Sequence, residues 1–354
     1  MISQRMQNIK MSPTLALVGK VKEMQEKGFD VISLTVGEPD WQTYSSISEA
    51  GIEAINKGIT KYTPPQGTMD LRKKLITVAQ KELGLDYKAQ EVVVASGSKL
   101  ILYSAFQALC NPGDEVIVPA PYWVSYTTLI EMSGALPKII DCGVDMNFKM
   151  TPEALEKAIT PKTKVLLFCS PSNPTGLMYS KNELQALAEV LKRYPQVFII
   201  SDDIYNRLVF DGSAVAPHLL HIAPEMKSRI LATNGGSKSY AMTGWRIGWA
   251  FGPQFLTTAI ADFQSQAIGS PSSIAQYAVQ KGIDHCDEDV RSTVKTLMER
   301  RTLAMEALSQ VKGMTVYMPD GAFYLWCDIS SAMGKKINGE VIQGSGDFCR
   351  LLLE

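Results

Sequence analysis

Little in this chain speaks for a metal centre, a disulfide framework or a membrane span. It has three histidines, His218, His221 and His285, and its six cysteines (Cys110, Cys142, Cys169, Cys286, Cys327, Cys349) lie far apart with no CxxC pair. Reduced thiols, mostly packed as small apolar groups in a cytoplasmic protein, are the expectation. His218 and His221 are three apart and would share a face in a helix, but a polar surface turn is expected there rather than a metal site. No apolar run approaches the roughly 20 residues that span a bilayer. The opening Met1-Ile2-Ser3-Gln4-Arg5 lacks the apolar core of a signal peptide. With 35 Lys and Arg against 36 Asp and Glu, the net charge is -1, so there is no basic footprint for nucleic acid. Neither GxxxxGK(S/T) nor GxGxxG occurs, which removes the usual loops for nucleotide phosphates and leaves a nicotinamide enzyme without its fingerprint.

What is present is ordinary in bulk and specific in detail. The 354 residues are 45% apolar and 20% charged, the balance of a globular protein of about two domains. There is no internal repeat. Short apolar runs alternate with helical patterns: strands are predicted at Glu91–Ser96, Glu115–Val118, Lys164–Cys169, Val197–Ser201 and Arg229–Thr233, and helices at Lys99–Leu109 and Lys181–Lys192. Continuous apolar strands separated by helices imply an α/β fold with a mostly parallel sheet sandwiched by helices. Farther on, Asp287–Leu308 reads as a long charged helix. Val316 and Phe323–Trp326 read as strands around the turn Pro319-Asp320-Gly321. A large domain over 39–285 is predicted, with a smaller α+β domain built from both chain ends, 1–38 and 286–354.

The strand ends are more informative than the strands. They deliver Ser96-Gly97-Ser98-Lys99, Pro119-Ala120-Pro121-Tyr122-Trp123, Ser170-Pro171-Ser172-Asn173-Pro174-Thr175-Gly176, Asp202-Asp203-Ile204-Tyr205 and Asn234-Gly235-Gly236-Ser237-Lys238 toward one edge. Open α/β sheets bind their ligands beyond the carboxyl ends of the strands. Lys238 stands among small residues, and Arg246 follows eight positions later. An amine that can condense with an aldehyde, beside a guanidinium fork that can grip a phosphate, is what pyridoxal phosphate requires.

The other residues fit that reading, although each has a plainer one. Asp202, directly after an apolar strand, needs a cationic partner if buried, and a protonated pyridine nitrogen is one; a helix N-cap is the alternative. Tyr205 and Asn173 can hydrogen-bond a ring oxygen, yet singly they suit a core aromatic and a turn residue. Trp123 offers a face for stacking or for the core. Gly97 and Ser98 open a helix, where free N–H groups and the helix dipole suit a phosphate, but Ser-Gly-Ser is also an ordinary turn.

These stretches, with Leu34-Thr35-Val36-Gly37-Glu38-Pro39-Asp40, Lys61-Tyr62-Thr63-Pro64-Pro65-Gln66-Gly67 and Ser237 through Gly248, resemble the class I aminotransferases of fold type I. The resemblance is closest to the bacterial branch of aspartate and aspartate/prephenate aminotransferases. It covers nearly the whole chain in the expected order. It implies that Lys238 forms the Schiff base with pyridoxal 5'-phosphate and that Asp202 pairs with the ring nitrogen. Tyr205 and Asn173 would contact the ring oxygen, Trp123 would stack on the ring, and Gly97, Ser98 and Arg246 would hold the phosphate. Gly37 would lie by the substrate carboxylate, with Trp123 and Asn173 also lining the substrate. Lys99 would face the distal carboxylate of a dicarboxylic substrate, and Ser12 and Thr14 would belong to a segment closing over it. Tyr62 would reach the phosphate of a neighbouring subunit, which implies a homodimer with shared active sites. The implied partners are a small amino acid and a 2-oxo acid, with no metal, nucleic acid or membrane.

The sequence departs from the pattern in three places. Asp203 follows the ring-binding aspartate where glutamate is usual, and Gly235 stands where many relatives carry a phosphate-binding serine. The chain also stops at Cys349-Arg350-Leu351-Leu352-Leu353-Glu354, inside a predicted helix, before the part that carries the family's arginine for the substrate α-carboxylate. Arg350 matches a different place. The expectation is therefore transamination of aspartate or glutamate by a C-terminally shortened member. Prephenate or another acid as substrate, a carbon–sulfur lyase reaction, and a cofactor-binding protein of impaired catalysis are the alternatives.

Overall fold

A computed structural model describes residues 2–7, 9 and 13–354 of the chain. Seven strands form the central sheet: β1 (Val92–Ala95), β2 (Glu115–Ala120), β3 (Leu136–Asp141), β4 (Thr163–Cys169), β5 (Phe198–Asp202), β6 (Ile230–Gly235) and β7 (Gly248–Phe251). Their spatial order is β1-β7-β6-β5-β4-β2-β3. Pairing is parallel from β3 through β2, β4 and β5 to β6. Strand β7 runs antiparallel between β6 and β1. Val92, Val93, Val94, Ile199 and Ile200 are fully buried, as both-face coverage by helices requires.

The helices carry their own signals. Ser98–Leu109 buries Ile101, Leu102, Ala105, Phe106 and Leu109, a stripe of helical period against the sheet. Lys181–Arg193 starts with a capping box between Ser180 and Glu183. Met69–Leu83 begins at the Thr68 cap and ends on Gly84 at φ 69°, a left-handed position that favours glycine.

Two strands of the central sheet escape the sequence reading. The β3 strand lies at the sheet edge with most of its side chains in water, so it shows no apolar run. The β7 strand is four residues long and opens on glycine. Near the end of the chain, helix Asp287–Ser309 precedes an antiparallel ribbon of β8 (Thr315–Tyr317) and β9 (Trp326–Asp328). The strand expected at Phe323–Trp326 therefore begins only at Trp326, and Phe323–Leu325 is irregular. A second small ribbon joins β10 (Lys336–Ile337) to β11 (Glu340–Val341). The early helix Pro13–Glu26 reaches the last residues through an ion pair of Lys20 with Glu354.

Candidate functional site

Register brings the strand ends level. Ala95 and Gly235 both pair with Gly248, and Asp202 pairs with Cys169 and Thr233. The turns that follow β1, β2, β4, β5 and β6 thus share one edge of the sheet.

At the β1 end, Gly97 turns the chain at φ 95° into helix Ser98–Leu109. The Ser98 hydroxyl donates to the Asn234 carbonyl at 2.8 Å, tying this turn to β6. The Arg246 guanidinium lies so close that a Cβ on Gly97 would sit 2.5 Å from its Nη2. Side chains are excluded at two more places: a Cβ on Gly235 would be 2.7 Å from Ser98 Oγ, and one on Gly248 2.5 Å from Ser98 N. The glycine at 235 is thereby accounted for, since a serine there would collide with Ser98. Arg246 itself has φ 55°, a strained value for a side-chain-bearing residue, and Nη1 donates to Thr243 O at 3.0 Å. Among the described residues no carboxylate pairs with Arg246. A helix N-terminus, bare glycine backbone and an unpaired guanidinium form an anion cradle.

Lys238 sits in the turn after β6, partly buried, with Nζ donating to the Gly37 carbonyl. Burial pushes its amine down to about 8; the Glu38 charge opposes this and Arg246 reinforces it. The Phe323 ring centroid lies 5.7 Å from Nζ.

Asp202, at the tip of β5, is 4% exposed. Its Oδ2 accepts from the Tyr126 hydroxyl at 2.7 Å, while Oδ1 is buried without a partner. Burial raises the carboxyl to about 6, against the Tyr126 hydrogen bond and with help from the Asp203 charge. Next to it Asp203 accepts from Ser201 Oγ at 2.6 Å, and His218 Nε2 is 3.3 Å from its Oδ2. The surface turn expected at His218 and His221 is met only in part: His221 is exposed, but the segment is a short helix, Leu219–Ile222, capped by His218. His218 is buried, and its Nδ1 accepts from Leu220 N at 3.0 Å, which leaves its proton on Nε2, facing Asp203. His221 Nε2 bonds the Glu82 carbonyl at 2.8 Å. His221 stays exposed with backbone partners on both ring nitrogens, whereas His218 is taken inside by its bond from Leu220 N and by the Asp203 carboxylate beside Nε2.

Asn173 and Tyr205 converge on a third residue, Tyr324. The two tyrosine hydroxyls are 2.6 Å apart, and Asn173 Nδ2 is 3.3 Å from the Tyr324 oxygen. Gly37 borders the same group, since a Cβ there would run into the Tyr324 hydroxyl. Trp123 stands at the mouth, edge-on to Tyr126 with centroids 5.5 Å apart. Lys99 Nζ lies 4.5 Å above the Trp123 ring and 3.3 Å from Ser125 Oγ. Burial lowers its amine, and the Arg246 charge lowers it further.

Of the residues singled out from the sequence, the structure therefore gathers Gly37, Gly97, Ser98, Lys99, Trp123, Asn173, Asp202, Tyr205, Lys238 and Arg246. Tyr62 is not among them: it is 98% exposed. Ser12 lies outside the described residues, as does the side chain of Thr14. Tyr126 and Tyr324 join the site without having been singled out. In the sequence Tyr126 lies three residues beyond the run Pro119–Trp123 that follows β2, and Tyr324 is hidden in an apolar stretch that reads as strand.

The gathered groups fit pyridoxal phosphate. The cradle suits its phosphate, the orphaned Asp202 oxygen suits a protonated ring nitrogen, and the Lys238 amine, brought down to about 8, suits its aldehyde. A family model described as "Aminotransferase class I and II" matches residues 30–350. Over its full length the chain is 44% identical to the "Probable aspartate/prephenate aminotransferase" of Rickettsia bellii, covering 88% of that protein. It is equally 44% identical to the "Aspartate/prephenate aminotransferase" of Cereibacter sphaeroides, again covering 88% of it. Among solved structures, the aspartate aminotransferase of Rhizobium meliloti superposes with a TM-score of 0.94 at 39% identity, over 100% of this chain and 88% of that one. The Thermus thermophilus aspartate aminotransferase with maleate gives a TM-score of 0.87 at 38% identity, over 94% of this chain and 86% of that one.

Proposed function

We propose, because the chain belongs to the aminotransferase class I and II family, that its substrates are acidic: aspartate or glutamate as amino donor, a 2-oxo acid as acceptor. Pyridoxal phosphate-dependent transamination is the chemistry of that family. The cofactor, when bound, supplies an aldehyde for amines and a ring that takes up the electron pair of a broken Cα–H bond.

The chain's residues do the rest. Lys238, with its amine brought down to about 8 by burial, holds a far larger neutral fraction near neutral pH than an ordinary lysine. As the amine nearest the cofactor ring, it would be the base for the substrate α-proton and the acid that returns a proton later. The Gly37 carbonyl gives its ammonium form a resting partner. Asp202 would keep a proton on the ring nitrogen of the bound cofactor, and Tyr126 keeps Asp202 aimed. Ping-pong kinetics follow from two half-reactions that share one lysine.

The substrate class rests on Lys99. It is a cation at the site mouth, over Trp123 and near Arg246, with no carboxylate partner among the described residues. An unpaired cation there favours a substrate with a second carboxylate. The similar Thermus enzyme was solved with maleate, a dicarboxylate, which supports the reading. Lys99→Ala is expected to lower kcat/KM for aspartate by about 100-fold, the scale of one lost charged contact, and for alanine by less than about threefold. Equal losses on both donors would count against an acidic side-chain pocket. Prephenate as acceptor is a second reading, supported by the names of the 44% identical relatives.

The assembly is part of the same proposal. Tyr62 at 98%, Leu34 at 93% and Ile32 at 87% exposure present apolar surface to water in the single chain. A homodimer that covers it, with Tyr62 reaching the partner's phosphate cradle, supplies a use for these residues. Sedimentation should return twice the chain's mass at micromolar concentration; a fully active monomer would exclude shared sites. The proposal also divides the chain into a large domain, 39–285, and a small one from 1–38 and 286–354. The seven-stranded sheet lies wholly inside the first and both ribbons inside the second. A cytoplasmic location is supported by six free thiols, four of them buried.

A further inference from the structure

Tyr324 is held in place with unusual thoroughness for an irregular segment. Asp320 N and Gly321 N both donate to the Gly176 carbonyl at 2.9 Å, and Met178 N donates to Asp320 Oδ2 at 3.0 Å. On the other side Phe210 N donates to Asp320 O at 2.9 Å and Ala322 N to Leu208 O at 2.7 Å. Gly321 has no room for a Cβ, which would stand 2.7 Å from Pro171 Cγ. The segment Pro319–Tyr324 is thus sewn at once to the loop that carries Asn173 and to the chain that follows Tyr205. Its last residue reaches the site already oriented.

The hydroxyl it delivers has defined partners. Asn173 Nδ2 can only donate, so the Tyr324 oxygen accepts there, at 3.3 Å. The Tyr324 proton is then available for the Tyr205 oxygen, 2.6 Å away. A phenol carries one proton. If Tyr205 accepts from Tyr324, its own proton is free to point elsewhere; if Tyr205 donates to Tyr324, that proton is used up. Burial pushes the Tyr324 hydroxyl up to about 12, so the proton stays on it at working pH.

We propose that Tyr324 is a positioning residue: by donating to Tyr205, it aims the Tyr205 proton at the ring oxygen of pyridoxal phosphate and strengthens that donor. The inference rests on the functional reading above. The chain of donors runs from Asn173 through Tyr324 to Tyr205 and ends on the oxygen whose negative charge the site must stabilise. The second N–H of Asn173 remains free for the same oxygen. Tyr324 acts through Tyr205 and need not touch the reacting atoms.

The test reads the cofactor's own titration. The purified protein loaded with pyridoxal phosphate is titrated by its visible absorption band, for the parent chain, Tyr324→Phe, Tyr205→Phe and the double variant. Phenylalanine keeps the ring and its packing against Phe323 and Tyr205, so the fold is preserved. Tyr324→Phe is expected to move the titration midpoint upward by about half to one pH unit, because the ring oxygen's charge loses support. Tyr205→Phe should move it further. The double variant should match Tyr205→Phe alone, since a residue that works through Tyr205 has nothing left to act on. An unchanged midpoint in Tyr324→Phe, or additive shifts in the double variant, would overturn the inference while leaving the functional reading intact. Absence of a titrating band in the parent chain would overturn both.

Discussion

Lys238→Ala should lower transamination by at least about 10,000-fold, the scale set when a nucleophile that is also the proton carrier is removed. The size of the effect follows from how little can replace it. The amine is held between Gly37 O and the Phe323 ring, at the turn where β6 leaves the sheet. The other lysine at the site, Lys99, is bound to the Trp123 face and to Ser125. Lys238→Arg should fail nearly as badly, because a guanidinium keeps the charge but is never neutral enough to add to an aldehyde. The same position sets a pH dependence for cofactor capture by the cofactor-free protein. With the amine at about 8, only about one molecule in ten is neutral at pH 7, and most are neutral above pH 8. The capture rate should therefore climb with pH and level off beyond that point. Stopped-flow mixing with pyridoxal phosphate measures it directly, and a rate flat between pH 6 and 9, chosen to bracket the midpoint by roughly a unit or more on each side, would show that Lys238 is not the attacking amine. Residual activity above about 1% in Lys238→Ala would say the same of the chemistry.

Asp202→Asn should have two opposite consequences. Activity should fall by about 1,000-fold, because a neutral amide cannot hold a proton on the ring nitrogen, a loss on the scale of a fully buried charge partner. The cofactor-free protein should meanwhile become more stable. Its carboxyl stands at about 6 when folded, against 3.8 for an ordinary aspartate. A raised acid contributes its full stability below the unfolded value and loses it as pH rises through the folded one. Above about pH 6 the buried charge is thus a liability of up to about 3 kcal/mol, which asparagine removes while still accepting from Tyr126. Denaturant midpoints without cofactor should show the variant ahead of the parent at pH 8 and level with it near pH 4. A variant no more stable at pH 8 would mean that Asp202 has a cationic partner in the cofactor-free protein. The pairing of lost activity with gained stability would identify Asp202 as a group placed for a ligand rather than for the fold.

How far such residues can be read beforehand depends on where they stand in the chain. Lys238, Asp202 and Asn173 each follow a buried apolar strand, and a strand end in an open α/β sheet is already an address. Their placement in one site was legible from that rule alone. Tyr126 and Tyr324 sit inside stretches whose composition suits core or strand, so their hydroxyls carried no local signal. Only tertiary packing brings Tyr324 beside Tyr205, which lies far from it in sequence. The parallel body of the sheet was legible because both faces are covered and its strands are continuously apolar. The edge strand β3 was not, since its side chains face water, and the reversed direction of β7 leaves no trace in apolar periodicity. The buried His218 shows the converse failure. Composition placed it outside with His221, whereas the Leu220 N–H and the Asp203 carboxylate took it in. Tyr62 belongs to another category, because nothing within its own chain gives it a task.

The insertion of β7 between β6 and β1 has a consequence for the time at which the pocket comes into being. Lys238 and Arg246 lie on the connection from β6 to β7, and Gly248 backs directly onto the turn at Gly97 and Ser98. Strand β1 leaves the ribosome early and must wait, unpaired along the edge that β7 will occupy, until the chain has grown past Phe251. A nascent chain that has already emitted Asp202 and Lys238 still has no phosphate cradle, because the wall that closes it has not been translated. Closure joins segments far apart in sequence, the slow class of pairing. The phosphate cradle is therefore complete only in the finished sheet, and a cofactor bound there holds β7 in place by stabilising the native state.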